Sequence, residues 1–359
     1  MLTLLAFIFV LGIAILFHEF GHFITAKLSG IKVFRFSIGF GPKIAGVFWK
    51  ETEYTIGLFP FGGYVKMAGE VAQSVKEKNQ EEFSADLLEE SVPDEQRFDK
   101  KSFFVRASVI MNGPIMNIVL AILLLVIVFF FSGTAKVSNI VNEVNEGSPA
   151  EIAGIIKGDR IVAINSVKVE QGEEITELIN INKDKLISVS IERDPKSDTM
   201  VMYLTPEYNT EYERAMIGIT LEVTVEKNTL FHSVRESFRM TGEILTLIWK
   251  SFIEILTGRM PVELAGPLGI AQMAGEAAKI GFLNLLFFTA VINIFLGITN
   301  LFPIPILDGG QLVLLAFEKI RGKPIEPKHA NFLYLIGFAI VVTIFIIATY
   351  QDILRIFNY

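Results

Sequence analysis

The chain has 359 residues, 51% of them hydrophobic, a mean hydropathy of +0.49 and a formal net charge of −7. The acidic balance, without a basic tail or long basic patch, excludes nucleic acid as a partner. The lack of cysteine excludes a disulfide framework and any thiolate zinc site, so a zinc ion here needs His and carboxylate ligands.

The apolar residues are clumped, which reads as membrane spans and not as the two or three soluble domains that length alone would suggest. A crossing needs about 20 mainly apolar residues. Four segments supply them: Leu2 to about Leu28, about Phe104 to Phe131, about Leu283 to Phe302, and about Phe332 to Ala348. The first, assigned to residues 1–30, has no Lys or Arg at its start and no small-residue cleavage site after it, which argues against a cleaved signal peptide. It ends in His18-Glu19-Phe20-Gly21-His22. Residues four apart share a helix face, so both imidazoles can reach one Zn²⁺ while Glu19 stands where it can act on water. Two of the four histidines of the chain fall in this motif.

Residues 31–69 alternate. Phe34, Phe36, Ile38 and Phe40 interleave with Arg35, Ser37 and Gly39, and Tyr54, Ile56 and Leu58 with Glu53, Thr55 and Gly57. Period two predicts strands, and Gly41-Pro42 and Gly62-Gly63 predict turns. Such a sheet either dips into the membrane beside the first span or forms a cytoplasmic hairpin; backbone of this kind is tolerated at membrane depth only where protein or water satisfies it. Residues 70–103 read as an acidic cytoplasmic linker, with a short helix about Glu81 to Glu89. Asn117 in the second span, 104–132, and Asn293 in the third read as makers of interhelical hydrogen bonds.

From 135 to 222 the composition becomes that of a soluble α/β module. Val137–Val144, Ile161–Ile164 and Ile187–Glu192 are expected strands, and Glu173–Asn180 an expected helix. Residues 229–282 follow, and Phe231, Val234, Phe238, Leu245, Ile248, Phe252 and Ile255 mark one apolar helix face there. The third span, 283–317, carries Asn300-Leu301-Phe302-Pro303-Ile304-Pro305-Ile306-Leu307-Asp308-Gly309-Gly310. An intramembrane carboxylate is costly and marks function by default. The partner that suits Asp308 is the zinc held by His18 and His22. His232 and His329 lack ligand spacing and read as surface residues. Lys27, Lys32 and Arg35, Lys100, Lys101 and Arg106, and Lys319, Arg321, Lys323 and Lys328 flank the spans. By the positive-inside rule those connections are cytoplasmic and both termini lie outside, with 331–350 as the last span. The third span then brings Asp308 to the same depth and side as His18.

The motif in the first span, the Asn-x-x-Pro-x-Pro-x-Leu-Asp-Gly run and the module between them resemble the site-2 protease family. The likeness is closest to the bacterial RseP-type intramembrane metalloproteases. Gly39-Phe40-Gly41-Pro42, Phe59 to Lys66, Gly113-Pro114 with Asn117, and Gly266 to Ile270 extend it over the whole chain. Gly147 to Asp159 is similar to the PDZ domains of bacterial proteases; one module fits, where many proteobacterial members carry two. The resemblance implies an α-helical polytopic membrane protein with four transmembrane helices, a membrane re-entrant β-hairpin region and an inserted PDZ-like domain at 135–222. It implies Zn²⁺ on His18, His22 and Asp308, Glu19 as general base, and Asn300 positioning substrate or the developing oxyanion. The expected partners are the bilayer and single-span membrane substrates, namely anti-sigma factors or signal-peptide remnants, met by a monomer in a bacterial inner membrane. An inactive membrane PDZ adaptor is the alternative, opposed by the intact His18, Glu19, His22 and Asp308. A transporter is opposed by the lack of an internal span repeat.

Overall fold

The computed structural model of the chain describes residues 1–70, 92–194, 198–210, 212, 214–259, 265–323 and 325–357. It divides into two units, Met1–Phe129 with Leu230–Tyr359, and Phe130–Thr229. The helix expected about Glu81 to Glu89 lies outside the described residues.

Helix α1 (Leu2–Leu28) is apolar nearly all round and ends where Ser29 and Gly30, the latter at φ 67°, turn the chain away. Its buried stripe Ala6, Val10, Ala14 is made of small side chains four apart, which lets neighbouring helices approach closely. Strands β1 (Val33–Trp49) and β2 (Thr52–Met67) form an antiparallel hairpin longer than the alternation predicts. The expected turns at Gly41-Pro42 and Gly62-Gly63 lie inside these strands, and the chain reverses instead at Lys50-Glu51, with Lys50 at φ 55°. The glycine pairs bend the hairpin. Arg35–Ile38 pair both with Gly63–Lys66 and, numbers rising in step, with Glu53–Ile56, so the outer half folds back on the inner half. The fold-back needs Gly39: at φ 86°, a Cβ there would stand 2.8 Å from the Phe59 carbonyl oxygen.

Helix α2 (Phe103–Ser132) runs 30 residues through Pro114. The second unit follows. Strands β3 (Thr134–Val144), β4 (Arg160–Ile164), β6 (Ile187–Glu192), β7 (Met200–Leu204) and β10 (Ile219–Glu226) form an antiparallel sheet in the order β10-β3-β4-β6-β7. The short β5 (Val167–Lys168) pairs with β4, and β8 (Glu207–Asn209) with β9 (Arg214–Met216). Helix α3 (Pro149–Ile152) is capped by the Ser148 hydroxyl, and α4 (Gly172–Ile181) by a Gln171/Glu174 capping box. The core is rich in isoleucine: Ile161, Ile164, Ile175, Ile187 and Ile191 are all at most 1% exposed, and the in–out alternation of Ile187, Val189 and Ile191 is what the sequence predicts. Buried Asp159 accepts the Ile156 N–H at 2.9 Å and is held by the Arg193 guanidinium at 2.9 Å, so the turn before β4 is pinned by charge.

The first unit resumes with the amphipathic α5 (Leu230–Leu256), then α6 (Pro267–Ile280), α7 (Phe282–Thr299), α8 (Asp308–Arg321) and α9 (Pro327–Phe357). Helices α1, α2, α7 and α9 are the four long and apolar enough to cross a membrane among the described residues. The 283–317 segment is two helices joined by a loop, because Pro303 and Pro305 cannot continue a helix. Leu120, Leu124, Leu125 and Val128 of α2 pack on Leu286, Ala290 and Ile294 of α7, with Met240, Ile244 and Ile248 of α5 against them. At the far end, Asp352 of α9 is 1% exposed and accepts the N–H groups of Gly266 (3.1 Å) and Gly269 (2.8 Å), serving as the missing cap of α6.

Candidate metal centre

Three ligating atoms converge in the first unit. His18 Nε2 lies 3.2 Å from His22 Nε2, Asp308 Oδ2 is 3.3 Å from His18 Nε2, and Asp308 Oδ1 is 3.6 Å from His22 Nε2. All three side chains are partly buried. Helical spacing brings the two imidazoles together, as expected. Asp308 arrives from a different element: the loop after α7 turns through Pro303 and Pro305, and α8 begins with this carboxylate at its electropositive N-terminus.

The donors suit zinc. Two nitrogen ligands at about 2.0–2.1 Å from a tetrahedral zinc stand about 3.3 Å apart, close to the separations here. Asp308 Oδ2 is buried and accepts no hydrogen bond from any protein group among the described residues. An orphaned buried carboxylate oxygen beside two imidazole nitrogens is costly unless a cation takes its lone pair. The His22 ring is also set for a metal. Its Nδ1 donates to the Val109 carbonyl at 2.8 Å, which places the proton on Nδ1 and leaves the Nε2 lone pair free.

Helix α2 shapes this arrangement more than any sequence signal indicates. Pro114 lies inside α2 and lacks the N–H that would bond to the Ile110 carbonyl four residues earlier. Gly113 is the close-approach point: a Cβ on it would stand 2.2 Å from His22 Nε2. The Asn112 side chain donates to the Gly21 carbonyl at 3.1 Å and to the Thr25 hydroxyl, lashing α2 to α1. Asn117 Nδ2 lies 3.5 Å from His18 Nδ1. Asn293, expected to bond across helices, donates instead to the Thr289 carbonyl of its own helix at 2.7 Å.

Glu19 borders the hairpin: a Cβ built on Gly63 would stand 2.7 Å from Glu19 Cγ. The stretch Gly63–Met67, paired on one side with Val33–Ile38, thus passes beside the candidate base. Asn300 caps α7, and its carbonyl accepts the Gly309 N–H at 2.7 Å, tying its main chain to the residue after Asp308. Phe302 in the same loop packs on Phe252 of α5, with ring centres 4.5 Å apart. An apolar cleft of about 490 Å³ opens between Phe20 and Phe23 of α1 and Val47, Phe48, Trp49 and Tyr54 of the hairpin. His232 and His329 stand apart from the cluster, beside Glu236 and Glu326 respectively. Val109 and Asn112 carry no motif of their own; Gly113-Pro114 with Asn117 is the sequence signal that points at this helix.

The sequence profile of peptidase family M50 matches residues 6–344. The regulator of sigma-W protease RasP of Bacillus subtilis is 31% identical over 419 residues, covering 99% of each chain. The zinc metalloprotease RasP of Shouchella clausii is also 31% identical, covering 99% of this chain and 100% of the relative. A Clostridium acetobutylicum protein named provisionally as a zinc metalloprotease is 34% identical, covering 97% of this chain and 96% of its own length. The crystal structure of the PDZ domain of an SdrC-like protein from Listeria monocytogenes covers 23% of this chain and 86% of that domain, at 19% identity and a TM-score of 0.21.

Proposed function

We propose, from the premise that the chain belongs to peptidase family M50 and is a zinc metalloprotease, that it cuts peptide bonds within the transmembrane segments of single-span proteins. The convergence of His18, His22 and Asp308, with Asp308 Oδ2 left without a hydrogen-bond donor, is the observation that carries this reading. These three residues would hold the metal, and Glu19 is the base. Bound there, zinc would polarise the scissile carbonyl and bring the pKa of a water to about 7. Glu19 takes a proton from the attacking water onto a carboxylate oxygen and delivers it to the departing amide nitrogen. Asn300, whose main-chain carbonyl accepts the Gly309 N–H, would offer its side-chain amide to the substrate or to the developing oxyanion.

A transmembrane helix hides its peptide bonds, so the substrate has to unwind before it is cut. The folded-back hairpin of β1 and β2 supplies a remedy if it enters the membrane: an unwound segment pairs with the strand at Gly63–Met67, and its carbonyls remain satisfied while the scissile one faces Glu19. Phe48, Trp49, Ile44 and Val47, all more than 60% exposed, give the outer half of that hairpin an apolar surface suited to lipid. The 135–222 module is read as a PDZ-like domain that binds or excludes the extracytoplasmic part of substrates. Anti-sigma factors and signal-peptide remnants are the substrate classes, the former in keeping with the name of the Bacillus relative. The site faces the cytoplasmic side of a bacterial inner membrane, with both termini and the module outside, and the enzyme acts as a monomer.

The test is co-expression with a tagged single-span substrate. Wild type releases the cytoplasmic fragment and Glu19→Gln does not; equal release by both defeats the proposal.

A further inference from the structure

His22 and His18 are held from behind in the same way, but only one of the two holds is complete. The Val109 carbonyl accepts the His22 Nδ1–H. Eight residues further along α2, on the same face and with Gly113 between them, stands Asn117, 1% exposed, its amide nitrogen 3.5 Å from His18 Nδ1. Its amide oxygen is buried and unpartnered. An imidazole whose Nε2 faces a metal carries its proton on Nδ1, so a donor here meets a donor. Nitrogen and oxygen of a carboxamide exchange places by a half-turn of the side chain. That turn gives the Nδ1–H an acceptor, and the amide nitrogen takes the place the oxygen held.

We propose that Asn117 is a positioning residue: its side-chain oxygen accepts the His18 Nδ1–H and aims Nε2 at the metal, as the Val109 carbonyl does for His22. This rests on the zinc reading given above. Groups in this position behind a metal-bound imidazole fix its tautomer and orientation, and their loss weakens metal affinity about 10–100-fold. The geometry also explains why the two histidines, four apart on α1, face two acceptors eight apart on α2: the helices cross closely at Gly21 and Gly113, where a Cβ on Gly21 would stand 2.1 Å from the Asn112 carbonyl oxygen.

The proposal separates from a packing role by the order of two variants. In purified full-length Glu19→Gln protein, zinc affinity is measured by competition with a chelator, and Co²⁺ absorption reports the ligand field. Asn117→Leu, close in size but without an acceptor, is expected to bind zinc about 10–100-fold more weakly and to shift the Co²⁺ bands. Asn117→Asp, which keeps an acceptor, is expected to bind at least as tightly as the parent. A packing role predicts the reverse order, since leucine suits a buried helix contact and a carboxylate does not. Parental affinity and an unshifted spectrum in Asn117→Leu overturn the proposal, and Asn117→Ala carries the same expectation should the leucine variant fail to fold. A Glu19→Gln parent that binds no zinc at all refutes the metal centre itself, which is a separate outcome.

Discussion

Gly113 faces the His22 ring so closely that a methyl group on it would lie 2.2 Å from Nε2. The metal helix and α2 therefore share a contact that only hydrogen fits. Gly113→Ala is expected to push the imidazole out of line, removing stoichiometric zinc and proteolysis together. Metal analysis of the purified variant reads this; a variant with one zinc per chain contradicts it. Alanine is the better helix former by about 1 kcal/mol, so loss of helix propensity cannot be the cause.

His22→Ala is expected to abolish zinc binding and Asp308→Ala to weaken it, because each removes one corner of a three-ligand set. The check is elemental analysis after dialysis against a weak chelator. Stoichiometric metal unaffected by either change refutes the assignment.

A different outcome is expected at Gly63, where an added Cβ would meet the Ser37 carbonyl oxygen at 2.6 Å and Cγ of the proposed base Glu19 at 2.7 Å. Gly63→Ala would shift the strand against Ser37 and displace the Glu19 side chain, with none of His18, His22 and Asp308 among the nearest contacts. Misplacing a catalytic group by about 1 Å costs on the order of 10²-fold in rate. Cleavage should therefore fall by about that factor at unchanged zinc content, measured with a detergent-solubilised single-span substrate.

Asp352 serves stability rather than chemistry. Replacing it by alanine leaves two buried N–H groups at the start of α6 without an acceptor, a cost of about 1–3 kcal/mol for each group left unmet. The melting temperature in detergent is expected to fall, with zinc affinity retained. Asp352→Ala melting with wild type would show that water replaces the carboxylate.

Much of this was open to inspection in the sequence because it depends on local period. The four apolar helices follow from runs of hydrophobic residues, and the pair His18/His22 from a spacing of four on one helix. Asp308 was legible because a carboxylate in an apolar, proline-broken segment needs a reason to be there. The strand expected at Ile187–Glu192 is β6, with the same bounds. The fold-back of the hairpin was not legible: Gly41-Pro42 and Gly62-Gly63 carry the composition of turns, and only pairing with distant strands decides whether such a site reverses the chain or merely bends it. The supports behind the rings were hidden for a simpler reason. Val109 contributes a carbonyl, which every residue has, and Gly113 contributes the absence of a side chain. Asn117 was read as a polar bridge between helices, which locates it without naming the ring it faces.

The candidate ligand set is split between the first helix of the chain and α8, which begins at Asp308 near the end of the sequence. During synthesis the His18/His22 half emerges early, and well over half of the chain follows before Asp308 does. On the proposed reading, the site is complete only when the loop through Pro303 and Pro305 has brought Asp308 to the two histidines. A chain stalled before Asp308 would then carry two of the three candidate ligands and lack the third, so the order of the sequence would keep the site incomplete until late in synthesis.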